Sequence, residues 1–271
     1  MQAISIATGL HTSMQKSHYD RLASWFDSYV EPFLTTDEEG VKNIRLKIVH
    51  TRKVCETMAL LSVGEKLTEN ESLIASACAL LHDVGRFPQY QRWRTFRDSE
   101  SDNHARLAIE VIREEQLLAD IDPAEQLLIE EAVRFHNLLA LPATVKSPTK
   151  LYLNLIRDAD KLDIWRVFVE LLALPPEERA SAATLGLDNL PQTVSDGCVS
   201  ALNAGSIVPL DTVTCVNDFT LLQISWVYDL TSVTARRILH DRGYIPILAA
   251  TLPDRADIHA AVSKACAMLS A

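Results

Sequence analysis

Apolar residues recur along most of this chain at steps of three and four, the spacing that puts them on one face of an α-helix. One such pattern runs from about Ser17 to Leu34 and a longer one from Asp37 to about Lys66. Thr68 with Glu71 forms a capping box, opening a third helix expected to end at Gly85. The polar stretch Arg94 to Asn103 reads as a loop, and a helix then starts near Asp102 or Asn103, carrying Leu107, Ala108, Val111 and Ile112 on one side. Asp122 and Pro123 make an N-cap and first-turn pair for a helix reaching about Asn137. Ser147 and Pro148 repeat the signal for a long helix to about Leu174, where Pro175 and Pro176 stop it. From Glu177 to Thr214 no period is sustained, which reads as an irregular excursion or as short helices; Ile207 to Val216 has the apolar character of a strand, but one strand makes no sheet. Three more helices are expected at about Asn217–Leu230, Thr231–Asp241 and Pro253–Ser270, the last with Asp254 and Asp257 in its first turn.

Four histidines and an aspartate interrupt these seams at positions where a core residue belongs. The second helix reads Leu46, His50, Val54, Met58 (or Thr57), Leu61; the third places His82 after Ala75 and Cys78, with Asp83 next in sequence. His104 leads the seam Leu107, Ala108, Val111, and His136 ends Ile129, Ala132, Val133. On the long helix Leu153, Ile156, Asp160, Ile164 (or Asp163), Val167 and Leu171 form the seam. An isolated buried histidine is ordinary when hydrogen-bonded, but burying unpaired carboxylates is expensive. A metal resolves the difficulty for the whole set, since imidazole lone pairs and carboxylates are its natural donors.

Composition narrows the class. The chain has 271 residues, 48% hydrophobic and 23% charged, with only 8 glycines, which disfavours a fold built on hairpin turns. The expectation is one all-α domain over 1–271, with a C-terminal helical extension at about 176–271. Lys and Arg number 26 against 36 Asp and Glu, a net charge of −10, which argues against wrapping a nucleic-acid polymer. Five cysteines without a C-x-x-C pair read as reduced thiols. The absence of a signal-like start or an 18-residue apolar run predicts a cytoplasmic protein with no membrane partner.

The segment LLHDVGRF (Leu80–Phe87), with KIVHTRKV upstream and IRDADKLD downstream, resembles the HD domain superfamily of metal-dependent phosphohydrolases over roughly residues 40–165. The resemblance implies an all-α HD-domain bundle with His50, His82, Asp83 and a later aspartate as metal ligands. For that aspartate, the family's ADxL form and the apolar seam both point to Asp160. Asp158 lies ~200° away around the helix, on the flank, and Asp163 is the fallback. Relatives with two extra histidines hold two ions bridged by the doublet aspartate. His104 and His136, at 104 − 82 = 22 and 136 − 104 = 32 residues, supply them here. The implied cofactors are therefore divalent metal ions, two in number, drawn from Fe, Mn, Mg, Co or Ni.

The implied function is hydrolysis of a phosphate ester of a small molecule or nucleotide by a metal-activated hydroxide, at Asp83 with Arg86 and Lys161 as phosphate-facing cations and Arg134 a weaker third. The alternative is an HD-type di-iron oxygenase cleaving a C–C or C–P bond with O2. A non-catalytic module is disfavoured by the complete ligand set, and the HD-GYP type by the lack of a G-Y-P motif after His136. His11, His18, His240 and His259 read as structural or exposed, and Trp93, Trp165 and Trp226 as core or pocket lining.

Overall fold

The computed structural model describes residues 12–34, 37–175, 178 and 187–269. His11, Pro176, Glu177 and Ser270, which enter the expectations above, lie outside them. The described chain forms α1 (Lys16–Val30), α2 (Glu38–Gly64), α3 (Glu69–Leu81), α4 (Arg86–Trp93), α5 (His104–Glu114), α6 (Pro123–Phe135) and α7 (Thr149–Ala173). These are followed by α8 (Asp196–Ala204), α9 (Val216–Ser225), α10 (Val233–Arg242), α11 (Tyr244–Ala249) and α12 (Ala256–Ala267). No strand occurs among the described residues; Thr12 and Ile121 make an isolated bridge. Ile207–Val216 is therefore not a strand. It holds a 3-10 turn at Leu210–Thr212, and Val216 already begins α9, because no second edge is available to pair with it.

Several helix starts follow directly from capping. Asp37 accepts from Gly40 N (2.6 Å), Asn103 from Arg106 N (3.0 Å) and Asp122 from Ala124 N (2.9 Å). Thr68 and Glu71 form the expected reciprocal box. Ser147 does not cap α7: Pro148 stands at its N-cap without a side-chain bond, and Thr149 instead donates to Glu131 (2.9 Å). At the C-terminus Asp257 alone sits in the first turn of α12; Asp254 precedes it. α3 stops at Leu81 rather than Gly85, and α4 follows after a four-residue turn. His82 and Gly85 both keep right-handed helical dihedrals, so a periodic pattern runs through the break unmarked. Gly85 has φ −69°, so it is not a left-handed cap. Its need is space: a Cβ there would lie 2.1 Å from the His104 carbonyl oxygen.

α7 lies at the centre, against α2, α3 and α6 on one side and α10 and α11 on the other. It is buried nearly all round, from Tyr152 and Leu153 through Ile156, Ala159 and Leu162 to Trp165 and Phe168. Charged residues on this helix are consequently carried inside. Asp158 does not lie on a solvated flank. It is fully buried and accepts from the Thr231 and Ser232 backbone amides (3.2 and 2.8 Å) and the Thr231 hydroxyl (3.0 Å), tying the C-terminal segment to α7. α8, α9 and α12 pack on one another, and one hydrophobic cluster runs from Met14 to Ala265. Trp165 is core as expected, whereas Trp93 is an exposed residue at the end of α4. Among the described residues no helix is long and apolar enough to cross a membrane.

Candidate metal centre

Five helices deliver the histidines and aspartates to one place. His50 comes from the middle of α2, His82 and His136 from the C-caps of α3 and α6, His104 from the first residue of α5, and Asp160 from the middle of α7. All four imidazoles are buried, with neighbouring ring centroids 5.0–5.5 Å apart.

Each histidine is held by its Nδ1. His82 and His136 donate from Nδ1 to the carbonyls of Ala79 (2.8 Å) and Val133 (2.7 Å), groups that can only accept. His50 and His104 direct Nδ1 to the carboxylates of Asp163 (2.7 Å) and Asp98 (2.8 Å). This leaves four Nε2 atoms facing one another across a shared space. His82 Nε2 is buried without a hydrogen-bond partner, His50 Nε2 meets only the Asp160 carboxylate (3.0 Å), and His104 and His136 Nε2 are 3.1 Å apart. Burial holds the His104 and His136 imidazoles down to about 4, and lowers His82 as well, so no proton separates these lone pairs at neutral pH. Burial and Lys47 oppose charge on His50 too, but its hydrogen bonds to Asp160 and Asp163 outweigh them and raise it. The carboxylates thus demand positive charge at this point.

Asp83 stands between two histidine groups. Its Oδ2 is 3.6 Å from Nε2 of both His50 and His82, and its Oδ1 is 3.5 Å from His104 Nε2. Asp160 Oδ1 lies 3.0 Å from His50 Nε2 and 3.8 Å from His82 Nε2. Three sets are close enough to hold an ion: His50, His82 and Asp83; His82, His136 and Asp160; Asp83, His104 and His136. Burial alone would raise the Asp83 carboxyl, but Lys47 (Nζ 2.8 Å from Oδ2), then His82 and Arg86 (Nε 3.3 Å from Oδ1), hold it well below the usual range. All six expected ligands are therefore brought together, and the unsatisfied nitrogens and carboxylates are a donor set of the kind divalent ions take.

Residues 48–165 match the family model of the HD domain. The chain carries an HD domain. The match starts two residues before His50 and ends five after Asp160, a little under half the chain, and it leaves out α8 to α12. Searches of curated proteins and of solved structures returned no match. HD domains bind divalent metals and are generally metal-dependent hydrolases, and the His/Asp cluster of this one is able to hold metal.

Beside the HD ligands lies a cavity of about 720 Å³, lined at this end by His104, His136, Asp160, Arg86 and Lys161. Arg86 is not free there: it also bonds Phe96 O (2.5 Å), Asp98 (3.1 Å) and Gln89 (3.0 Å). Lys161 is no solvated charge either, since it is mostly buried with Nζ 2.7 Å from Asp229 Oδ2. Arg157 binds the same oxygen at 2.7 Å and donates to the carbonyls of His136 (3.1 Å) and Leu138. Arg134 is exposed and does not reach the cavity. His240 and His259 are exposed, and His18 accepts from Gln15 N in the α1 capping box.

Sequence reasoning missed four residues. Lys47 stands one turn before His50 on α2, so helical spacing would have found it. Arg157 falls on the same α7 face as Asp160 and Lys161 and was equally accessible. Asp98 sits in a 3-10 turn within the expected loop, and Asp229 in a 3-10 turn at the end of the expected Asn217–Leu230 helix, where no seam singles it out. Asp163, the fallback ligand, instead orients His50 from behind and is itself clamped by Arg166 (2.6 and 2.9 Å). Asp163→Asn replaces an acceptor facing His50 Nδ1 and is expected to weaken metal binding about 10–100-fold, with little change in helicity. Competitive metal titration checks this; unchanged affinity would remove Asp163 from the HD site.

Proposed function

We propose that the protein hydrolyses a phosphate ester of a small molecule at a two-ion HD site. In this reading His50, His82, Asp83 and Asp160 surround one ion, and Asp83, His104 and His136 surround the other. The observation that carries it is the position of Asp83, whose two oxygens face different histidine groups as a bridging carboxylate must. Divalent ions in such a site supply Lewis acidity, lowering the pKa of water and neutralising charge on phosphoryl oxygens.

The chain's own groups do the rest. Asp83 and Asp160 offset the charge of the ions, and Nδ1 bonds to Asp163, Asp98, Ala79 and Val133 hold the four rings in one tautomer. Arg86 and Lys161, joined by Arg157, face the anionic group of the substrate. Asp229 holds Lys161 and Arg157 at the cavity wall, so that their positive charge is in place before an anion arrives. The deep burial of the histidines keeps water from competing for these contacts.

Gently purified protein is expected to contain two metal ions per chain and His104→Ala one, by elemental analysis. A single ion per chain that survives His104→Ala unchanged sinks the two-ion assignment. A panel of nucleotides, sugar phosphates and simple esters, with added Mn²⁺, Fe²⁺, Mg²⁺, Co²⁺ or Ni²⁺, is expected to release phosphate without O2. Turnover that consumes O2 and releases no phosphate replaces the hydrolase by the oxygenase.

A further inference from the structure

The cavity beside the cluster draws its charged and its apolar lining from different stretches of the chain. On α7 one face presents Arg157, Asp160, Lys161 and Ile164, at steps of three, one and three. Asp160 and Ile164 are one turn apart, so the step from ligand to apolar wall is only ~6 Å along the helix. Beyond Ile164 the lining comes from outside the matched HD segment, and Ile207, Val213, Phe219, Leu222 and Trp226 dominate it. From residue 187 to 226 the Trp226 indole is the lone lining side chain with a hydrogen-bonding group; all cations and carboxylates of the lining lie elsewhere.

This wall is built in advance. Trp226 meets the buried Trp165 edge-on at 6.0 Å, and Phe219 meets Phe168 at 5.5 Å and 84°, so both rings are anchored on the central helix. Leu222 is nearly buried between them in sequence, and the Trp165 indole donates to Gln223 O (3.1 Å), fixing α9 to α7. An apolar wall held in this way, in a cavity whose charged lining groups come from other stretches of the chain, suits a ligand that is itself two-ended.

We infer that the substrate carries a hydrocarbon group, received by this wall while its phosphate meets the histidine and aspartate cluster. The inference rests on the proposed hydrolase reading for the phosphate end alone. A ribose and base placed there would leave hydroxyls and ring nitrogens unpaired against aliphatic and aromatic side chains, a penalty that a hydrocarbon avoids. Burying a hydrocarbon instead gains with every methylene until the space is filled.

The experiment uses the metal-loaded full chain with methyl, butyl and octyl phosphate, and the matching alkylphosphonates as non-hydrolysable ligands in calorimetry. Both kcat/KM and phosphonate affinity are expected to rise about threefold per added methylene. Ile207→Asn, in a loop, and Leu222→Gln, on α9, are expected to abolish most of the octyl advantage, read as the ratio of octyl to methyl kcat/KM and affinity within each variant. Hydrolysis of all three esters at equal kcat/KM, with flat phosphonate affinity, overturns the inference and leaves the hydrolase standing. Length-dependent phosphonate binding without hydrolysis does the reverse. Neither hydrolysis nor length-dependent binding overturns both.

Discussion

Asp83→Ala is expected to lower kcat/KM for any phosphate ester by on the order of a thousandfold and to reduce the metal content of the chain. The reason is that two histidine groups depend on one carboxylate: Oδ2 faces His50 and His82 while Oδ1 faces His104. Without it, the loss is several kcal/mol of charge stabilisation at the reacting centre, each 1.4 of which is about tenfold in rate. A second effect adds to the first. Lys47, only 16% exposed at its side chain, and Arg86 at 15% would then point at each other's space without their shared anion. A metal ligand site bordered by two uncompensated cations repels the ion it is meant to hold. Elemental analysis and steady-state kinetics on the same preparation read both effects. Wild-type turnover in Asp83→Ala would show that the cluster is not where the chemistry happens.

Gly85→Ala is the second large effect, and it needs no catalytic assumption. A Cβ at residue 85 would come within 2.1 Å of His104 O, 2.5 Å of Ala108 N and 2.9 Å of the Leu107 carbonyl carbon. All three are backbone atoms of α5, so no side-chain rotation relieves the clash and the helix must retreat. The backbone at Gly85 is ordinary, with φ −69°, so the penalty is steric alone. Overpacking of this kind is worth roughly 3 kcal/mol of stability. Because His104 is the first residue of α5, the retreat also moves one of the six candidate ligands. Gly197→Ala is the control: nothing lies within 4 Å of a Cβ there, inside α8, and the change is expected to be neutral or stabilising. Equal denaturation midpoints for the two variants would refute the close-approach argument.

Gly85 also shows where sequence patterns mislead. A glycine after a helical seam suggests a C-cap, yet α3 ends four residues earlier and the glycine answers to a helix nineteen residues on. Neighbouring segments impose that requirement, and nothing local records it. α8 was legible only as one of the short helices offered for Glu177–Thr214, and α11 not as a separate helix, for a related reason. They are short, of nine and six residues, and their identity comes from packing on α9, α12 and α7 more than from a sustained period of their own. The loop Arg94–Asn103 was legible as a loop, but not as the source of Asp98. That carboxylate accepts from His104 Nδ1 and from Arg86, Gln89 and Asn137, partners drawn from three other segments.

The helical class, the capped starts of α2, α3, α5 and α6, and the six ligand candidates were all determined by the sequence itself. Each depends on interactions within a few residues: a cap spans three positions, and a polar residue in a seam is marked by its neighbours one turn away. Among Asp158, Asp160 and Asp163, the angle around one helix set Asp158 apart, while the apolar seam and the resemblance's ADxL form pointed to Asp160 and left Asp163 as the fallback. What each of the three does was decided by the tertiary structure. Asp158 anchors Thr231 and Ser232, Asp160 faces the histidines, and Asp163 holds His50 from behind. The same holds for the cations, which the sequence displays as surface-like charges until folding pairs Lys47 with Asp83 and Lys161 with Asp229. Periodicity reports which residues turn inward, whereas the partners they meet there are set by contacts between segments far apart in the chain.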